Sequence, residues 1–150
     1  ELKLCLDVSL NVLKAVVSDL KIVQEKAMTY SAIDDSLIVP LTNFALLTGT
    51  GWTFTPTKKC TLCVSVNSTL RSDAATNTLM QGVIVEQNSA LLRDPNVYSA
   101  FTIIGAGQYA QLPIVDRVKV EPGMAVTVGI HGKASGAAKV RRLKVDYWLE

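Results

Sequence analysis

The chain is short of the residues that catalysis and metal binding use. Its 150 residues include one histidine, His131, and three cysteines, Cys5, Cys60 and Cys63. A nucleophile needs a base beside it. Ser135 lies near His131 in sequence, but no acid stands close enough to suggest a triad, so an enzyme is the least expected class. Cys60 and Cys63 bracket Thr61-Leu62 as half of a zinc knuckle would. No second pair exists, so one chain cannot close a four-ligand site. Residues three apart in a strand also face opposite sides. The expectation is three thiols, mostly buried and reduced, with no metal and no cofactor. Asp34, Asp35, Asp73, Asp94 and Asp116 are scattered over turns, without the close spacing of a calcium loop. Gly105-Ala106-Gly107 lacks the further glycine and the following helix of a phosphate loop, and reads as a hairpin turn.

Charge is scarce too. Charged residues make up 19% of the chain and the net charge is +2, too small to argue for a nucleic-acid partner. No run reaches the roughly 18 apolar residues of a membrane helix, so no membrane insertion is expected. Charge interrupts the stretch Glu1 to Asp7, which does not read as a signal peptide. With 49% hydrophobic residues, a chain of this size has more apolar surface than one copy can hide, which favours an oligomer.

What is present begins with a heptad seam. Leu6, Leu10, Leu13, Val17, Leu20 and Ala27 follow a spacing of four, three, four and three, with Gln24 in the one polar slot. No Gly or Pro precedes Pro40, and a helix is expected over about residues 3–29. Leu6, Leu13, Leu20 and Ala27 take position d; Leu10, Val17 and Gln24 take position a. Val16 and Val23 at g widen the stripe beyond a two-stranded seam. Two readings stay open: a trimeric coiled-coil stalk, or an amphipathic helix docked on its own head. The division is residues 1–30 as helical stalk or anchor, 31–37 as a polar linker, and 38–150 as a head.

In the head the period changes to two. Strands are expected at 37–47, 51–55, 60–70, 79–87, 98–104, 108–120, 124–131 and 139–149. Val64 and Val66 alternate with Ser65 and Asn67, and Val126, Val128 and Ile130 with Thr127 and Gly129. The last strand is less regular at Arg141-Arg142. About eight strands separated by Gly, Pro and Asp turns imply a mainly β, jelly-roll sandwich. Lys133, Lys139, Arg141, Arg142 and Lys144 crowd together and form a candidate patch for an anionic ligand, a host-surface glycan among them. Trp52, Phe54, Tyr109, Tyr147 and Trp148 read as core or interface packing.

Residues 51–69 resemble the opening strands of the complement-type, tumour-necrosis-factor-like jelly roll. Phe54 and Pro56 match its aromatic and proline turn, while Cys60, Leu62 and Val64 replace its Gly, Tyr and second aromatic. Val118 to Val128 resembles its strand, Gly-Asp turn and strand, with Met124 in place of Asp. Leu143 to Leu149 resembles its closing strand. The resemblance implies a homotrimer of jelly rolls about a threefold axis, at the end of a trimeric stalk. Such heads occur in animal secreted ligands and in bacteriophage fibres, spikes and capsid decorations. The Ala/Val/Thr/Gly-rich composition and the lack of a disulfide pattern favour the second group. The expectation is a non-enzymatic virion structural protein that contacts itself, other virion proteins and a host surface. The alternative is a secreted or cell-surface trimeric ligand or adhesin. Asn67-Ser68-Thr69 is a glycan-acceptor triplet within the strand expected at 60–70.

Overall fold

Val64, Val66 and Ser68 are buried while Asn67 is exposed and Ser65 and Thr69 are half-buried. This alternation, repeated strand after strand, separates an apolar side from a wet side and forces two sheets to close on each other. The computed structural model describes Lys3, residues 6–15 and residues 28–150, with the backbone alone over 28–38. Its strands are β1 (Met28–Ile38), β2 (Ala45–Leu46), β3 (Trp52–Phe54), β4 (Cys60–Ser72), β5 (Asn77–Gln87), β6 (Ala90–Arg93), β7 (Ser99–Ile104), β8 (Tyr109–Gln111), β9 (Ile114–Val120), β10 (Val126–Ala134) and β11 (Ala138–Leu149).

All strand pairs are antiparallel. Sheet A runs β1-β11-β4, with β8 and β9 both along the far side of β4. Sheet B has β2 and β3 on one side of β10, then β5, then β6 and β7 on the far side of β5. Counting β2 with β3, β6 with β7 and β8 with β9 as interrupted single strands leaves eight positions. Their orders are 1-8-3-6 and 2-7-4-5, the arrangement of a jelly roll. The head is therefore the mainly β jelly-roll sandwich that the periodicity predicts.

The core lies between the sheets. Leu62, Val64, Val66, Leu143 and Val145 of sheet A face Leu79, Val83, Val85, Val128 and Ile130 of sheet B, all buried. Trp52 stacks on Phe54 at 4.3 Å and on Tyr147 at 5.9 Å between ring centroids. The Tyr147 hydroxyl donates to the Thr50 carbonyl at 2.8 Å, and burial pushes its pKa well up. Thr50 accepts from the Ile130 N–H at 3.1 Å and donates to the Leu47 carbonyl at 2.7 Å. A loop residue thus carries bonds that tie β10 to the preceding turn.

Four local expectations need correction. Residues 31–37 are not a linker; they lie inside β1, paired to β11 with a register shift between Ile33 and Leu37. The strand expected over 37–47 shrinks to Ala45–Leu46 and one bridge at Leu41. Pro40 donates no N–H, and Thr42 sits at φ 75°, outside any strand conformation. The strand expected over 108–120 breaks at Leu112-Pro113 for the same missing donor. β6 is a strand the sequence reading omits. Its hairpin turns on Asn88 and Ser89, both at positive φ, as a two-residue primed turn requires.

At the N-terminus, Lys3 and residues 6–15 are helical. Leu6, Leu10 and Leu13 are exposed on the single chain, as are Val8 and Val12. Val17, Leu20, Gln24 and Ala27 lie outside the described residues, so of the expected seam only the helical Leu6, Leu10 and Leu13 are described. The end of the expected helix, Met28-Thr29, is already β1.

Candidate functional site

The outward side of sheet B carries an apolar band beside polar positions at Glu86, Thr127, His131 and Lys133. Register places Leu46, Leu91, Phe101 and Ile103 on it, beside the outward positions of β5 and β10. The loop after β6 adds Val97 and Tyr98. These six side chains are 46–67% exposed. Asp94 builds that loop: its carboxylate accepts from the Asn96 N–H at 2.8 Å, and its carbonyl from Val97 and Tyr98. The loop folds over Gly82, where a Cβ would lie 2.8 Å from Pro95 Cβ and from the Tyr98 carbonyl oxygen. Only glycine lets the loop lie flat on the sheet.

The band continues round the edge where β7 of sheet B meets β8 and β9 of sheet A, with Tyr109 and Val115 exposed there. A cleft of about 540 Å³ opens between the sheets at this edge, lined by Val83, Tyr98, Ala100, Pro113, Ile114 and Val115 and by an ion pair. Arg93 Nε donates to Asp116 at 2.8 Å, and its other nitrogens donate to the Leu92 and Arg117 carbonyls, each at 3.0 Å. Its guanidinium lies 5.7 Å from the Tyr98 ring centroid. The pair clasps sheet B to sheet A at their open edge. Nothing in the sequence joins Arg93 to Asp116; the alternation of β7 was the only readable trace of this surface.

Apart from Tyr109 and Val115 along its β8–β9 edge, the outward side of sheet A is polar and cationic. Lys139, Arg142 and Lys144 of β11 pair in register with Arg71, Thr69 and Asn67 of β4. Lys144 lies 3.4 Å from Asp146, Arg71 2.8 Å from Asp73 and Arg117 2.9 Å from Glu150. Arg141 is the extra residue of a bulge between Val140 and Arg142, the step at which the sequence loses its alternation. Lys133 does not belong to this group. It lies on the outward side of sheet B, its ammonium 5.8 Å from the Phe44 ring. The structure therefore brings together three of the five residues proposed as an anionic-ligand patch and separates Lys133 from them.

His131 also faces outward on sheet B, beside a hollow of about 270 Å³ that Leu46, Ile84, Glu86 and Gly129 help to line. Burial holds its pKa below the ordinary value, with Glu86 pulling the other way. The Ser135 hydroxyl is committed elsewhere, accepting from the Thr78 N–H at 2.9 Å and donating to Asn77 at 3.3 Å. Cys60 packs against the core, while Cys63 lies on the opposite face of β4. Burial, helped by Glu150, pushes the Cys63 thiol pKa up. Among the described residues no group of three or more His, Cys, Asp or Glu could hold a metal ion. No known family model and no curated protein matches the chain.

Proposed function

We propose that the protein is a non-enzymatic, homotrimeric structural protein of a bacteriophage virion: a fibre, spike or capsid decoration. Its jelly-roll head is displayed on a helical stalk and meets other virion proteins or a host surface. The observation that carries this reading is the apolar band of Tyr98, Phe101, Ile103, Tyr109 and Val115, uncovered on the single chain. Isolated soluble domains rarely leave so many large apolar side chains together in water. The helix adds to the argument. Leu6, Leu10 and Leu13 share one face and are exposed on the single chain, with Val8 and Val12 exposed on another. A helix apolar on more than one side has more to cover than a two-stranded seam does. Three copies is the number that the resemblance to complement-type heads implies.

Light scattering on the full chain should give three times the 16.2 kDa of one copy. A single-copy mass at micromolar concentration would remove the reading. Electron microscopy of phage particles carrying a tagged head would then locate it on fibre, spike or capsid.

A further inference from the structure

We infer that the outward side of sheet A is a binding surface for an anionic polysaccharide. The inference rests on the attachment part of the proposed function only in that the head must be displayed; it does not depend on the number of copies. Two parallel columns of side chains make the surface. On β11 stand Lys139, Arg142 and Lys144, spanning about 15 Å of strand. Beside them in register on β4 stand Thr69 and Asn67, with Gln111 of β8 opposite Thr69. Lys139 and Arg142 have no ion-pair partner among the described residues, whereas the cations around them at Lys144, Arg71 and Arg117 do.

The side chains fit the chemistry of such a polymer. Cations meet sulfate, phosphate or carboxylate groups, and arginine can hold one with two parallel bonds. Threonine, asparagine and glutamine each both donate and accept, as sugar hydroxyls require. The two columns are one strand spacing apart, about 4.8 Å, close enough for one polymer to touch both. Single-stranded nucleic acid fits less well, because it is held by successive stacking aromatics, and among the described residues this side has only Tyr109 exposed and Trp148 half-buried, on different strands. Charge complementarity selects the face: the outward side of sheet B, with its apolar band, offers neither column.

The test uses dextran sulfate as the probe and uncharged dextran as the control, by affinity electrophoresis of the full chain. Dextran sulfate should retard the protein and dextran should not. Arg142→Gln and Lys139→Gln should each weaken retardation by about 1.5-fold to fivefold, the size of one exposed ionic contact. Asn67→Ala should weaken it with no change of charge. Lys133→Gln removes the same charge from the other sheet and should leave it unchanged. An equal loss in Lys133→Gln would reduce the effect to net charge and overturn the assignment. So would tighter binding of a single-stranded oligonucleotide. Mass is measured on every variant. If Arg142→Gln altered the mass while dextran sulfate retardation stayed the same, the face would be a contact between copies and the proposal wrong. If the parent had a single-copy mass yet bound dextran sulfate through Arg142, the trimer would fail and this surface would stand.

Discussion

The two sheets share one core but present opposite outsides. Sheet A turns Asn67, Thr69, Lys139, Arg142 and Lys144 outward; sheet B and its edge turn out Leu46, Leu91, Tyr98, Phe101 and Ile103. A sandwich in water needs polar residues on both outsides. Sheet A meets that requirement along β11 and β4; sheet B meets it at Glu86, His131 and Lys133 but not over β6, β7 and the loop between them. The two proposals rest on that difference: contact between copies on sheet B and its edge, and an anionic polysaccharide on sheet A.

The contrast can be broken most sharply with one carboxylate placed on each side. Phe101→Asp puts a charge in the apolar band. If copies pack there, losing the aromatic contact alone costs at least about 2 kcal/mol per interface, roughly thirtyfold in affinity. The unpaired buried charge adds to that. The mass should fall to that of one chain while the melting temperature of the head changes little, because Phe101 is exposed on the single chain. Asn67→Asp on sheet A should leave the mass alone. The same mass for both variants would erase the distinction between the faces.

How much of this was readable before folding depended on what each residue's neighbours in space contribute. Val64 to Thr69 announces its strand because one side is buried against a core and the period of two records that burial. The β1 strand carries no such record: it is an edge strand whose Asp34-Asp35 falls in a register shift, so the segment reads as a linker. The β6 hairpin hides because its turn uses Asn88 and Ser89 where sequence reading looks for glycine. The patch was half legible. Lys139, Arg142 and Lys144 share a strand, but three residues after Ala134 carry the chain from sheet B to sheet A, so Lys133 is near them in sequence only. Phe101 and Ile103 alternate visibly, yet alternation does not say whether their side meets core, water or another subunit.

The inner sides differ as well, and a smaller substitution sharpens that. β5 buries three amides. Asn77 donates to the Gly136 and Ala137 carbonyls and accepts from the Gly136 N–H. Gln87 donates to the Glu121 and Met124 carbonyls and accepts from the Glu121 N–H. Each staples a turn of the sandwich. Gln81, between them and fully buried, has no partner among the described residues for either its nitrogen or its oxygen. Leaving an amide unpaired in a core costs about 1–3 kcal/mol. Gln81→Leu should therefore raise the melting temperature, whereas Asn77→Leu and Gln87→Leu should lower it. A lowered melting temperature in Gln81→Leu would mean that the amide is satisfied after all.

The smallest expected effect lies on sheet B alone and separates the faces by acid. His131 stands beside the hollow that Glu86 also lines, with Lys133 two residues along the same strand. Burial sets its folded pKa below the ordinary value of about 6.5, and Glu86 opposes the shift without cancelling it. The unfolded chain therefore takes up the proton first. The contribution of the neutral ring to stability is complete above about pH 6.5 and is lost as the pH falls through the unfolded and then the folded value. Between about pH 7 and pH 5 the melting temperature should decline in part through this residue. His131→Gln should flatten that part of the curve. Glu86→Gln should steepen it, because the carboxylate is the neighbour that favours the charged ring. If His131→Gln left the slope unchanged, carboxylates elsewhere would account for the acid sensitivity. His131 would then contribute nothing to the pH dependence of stability.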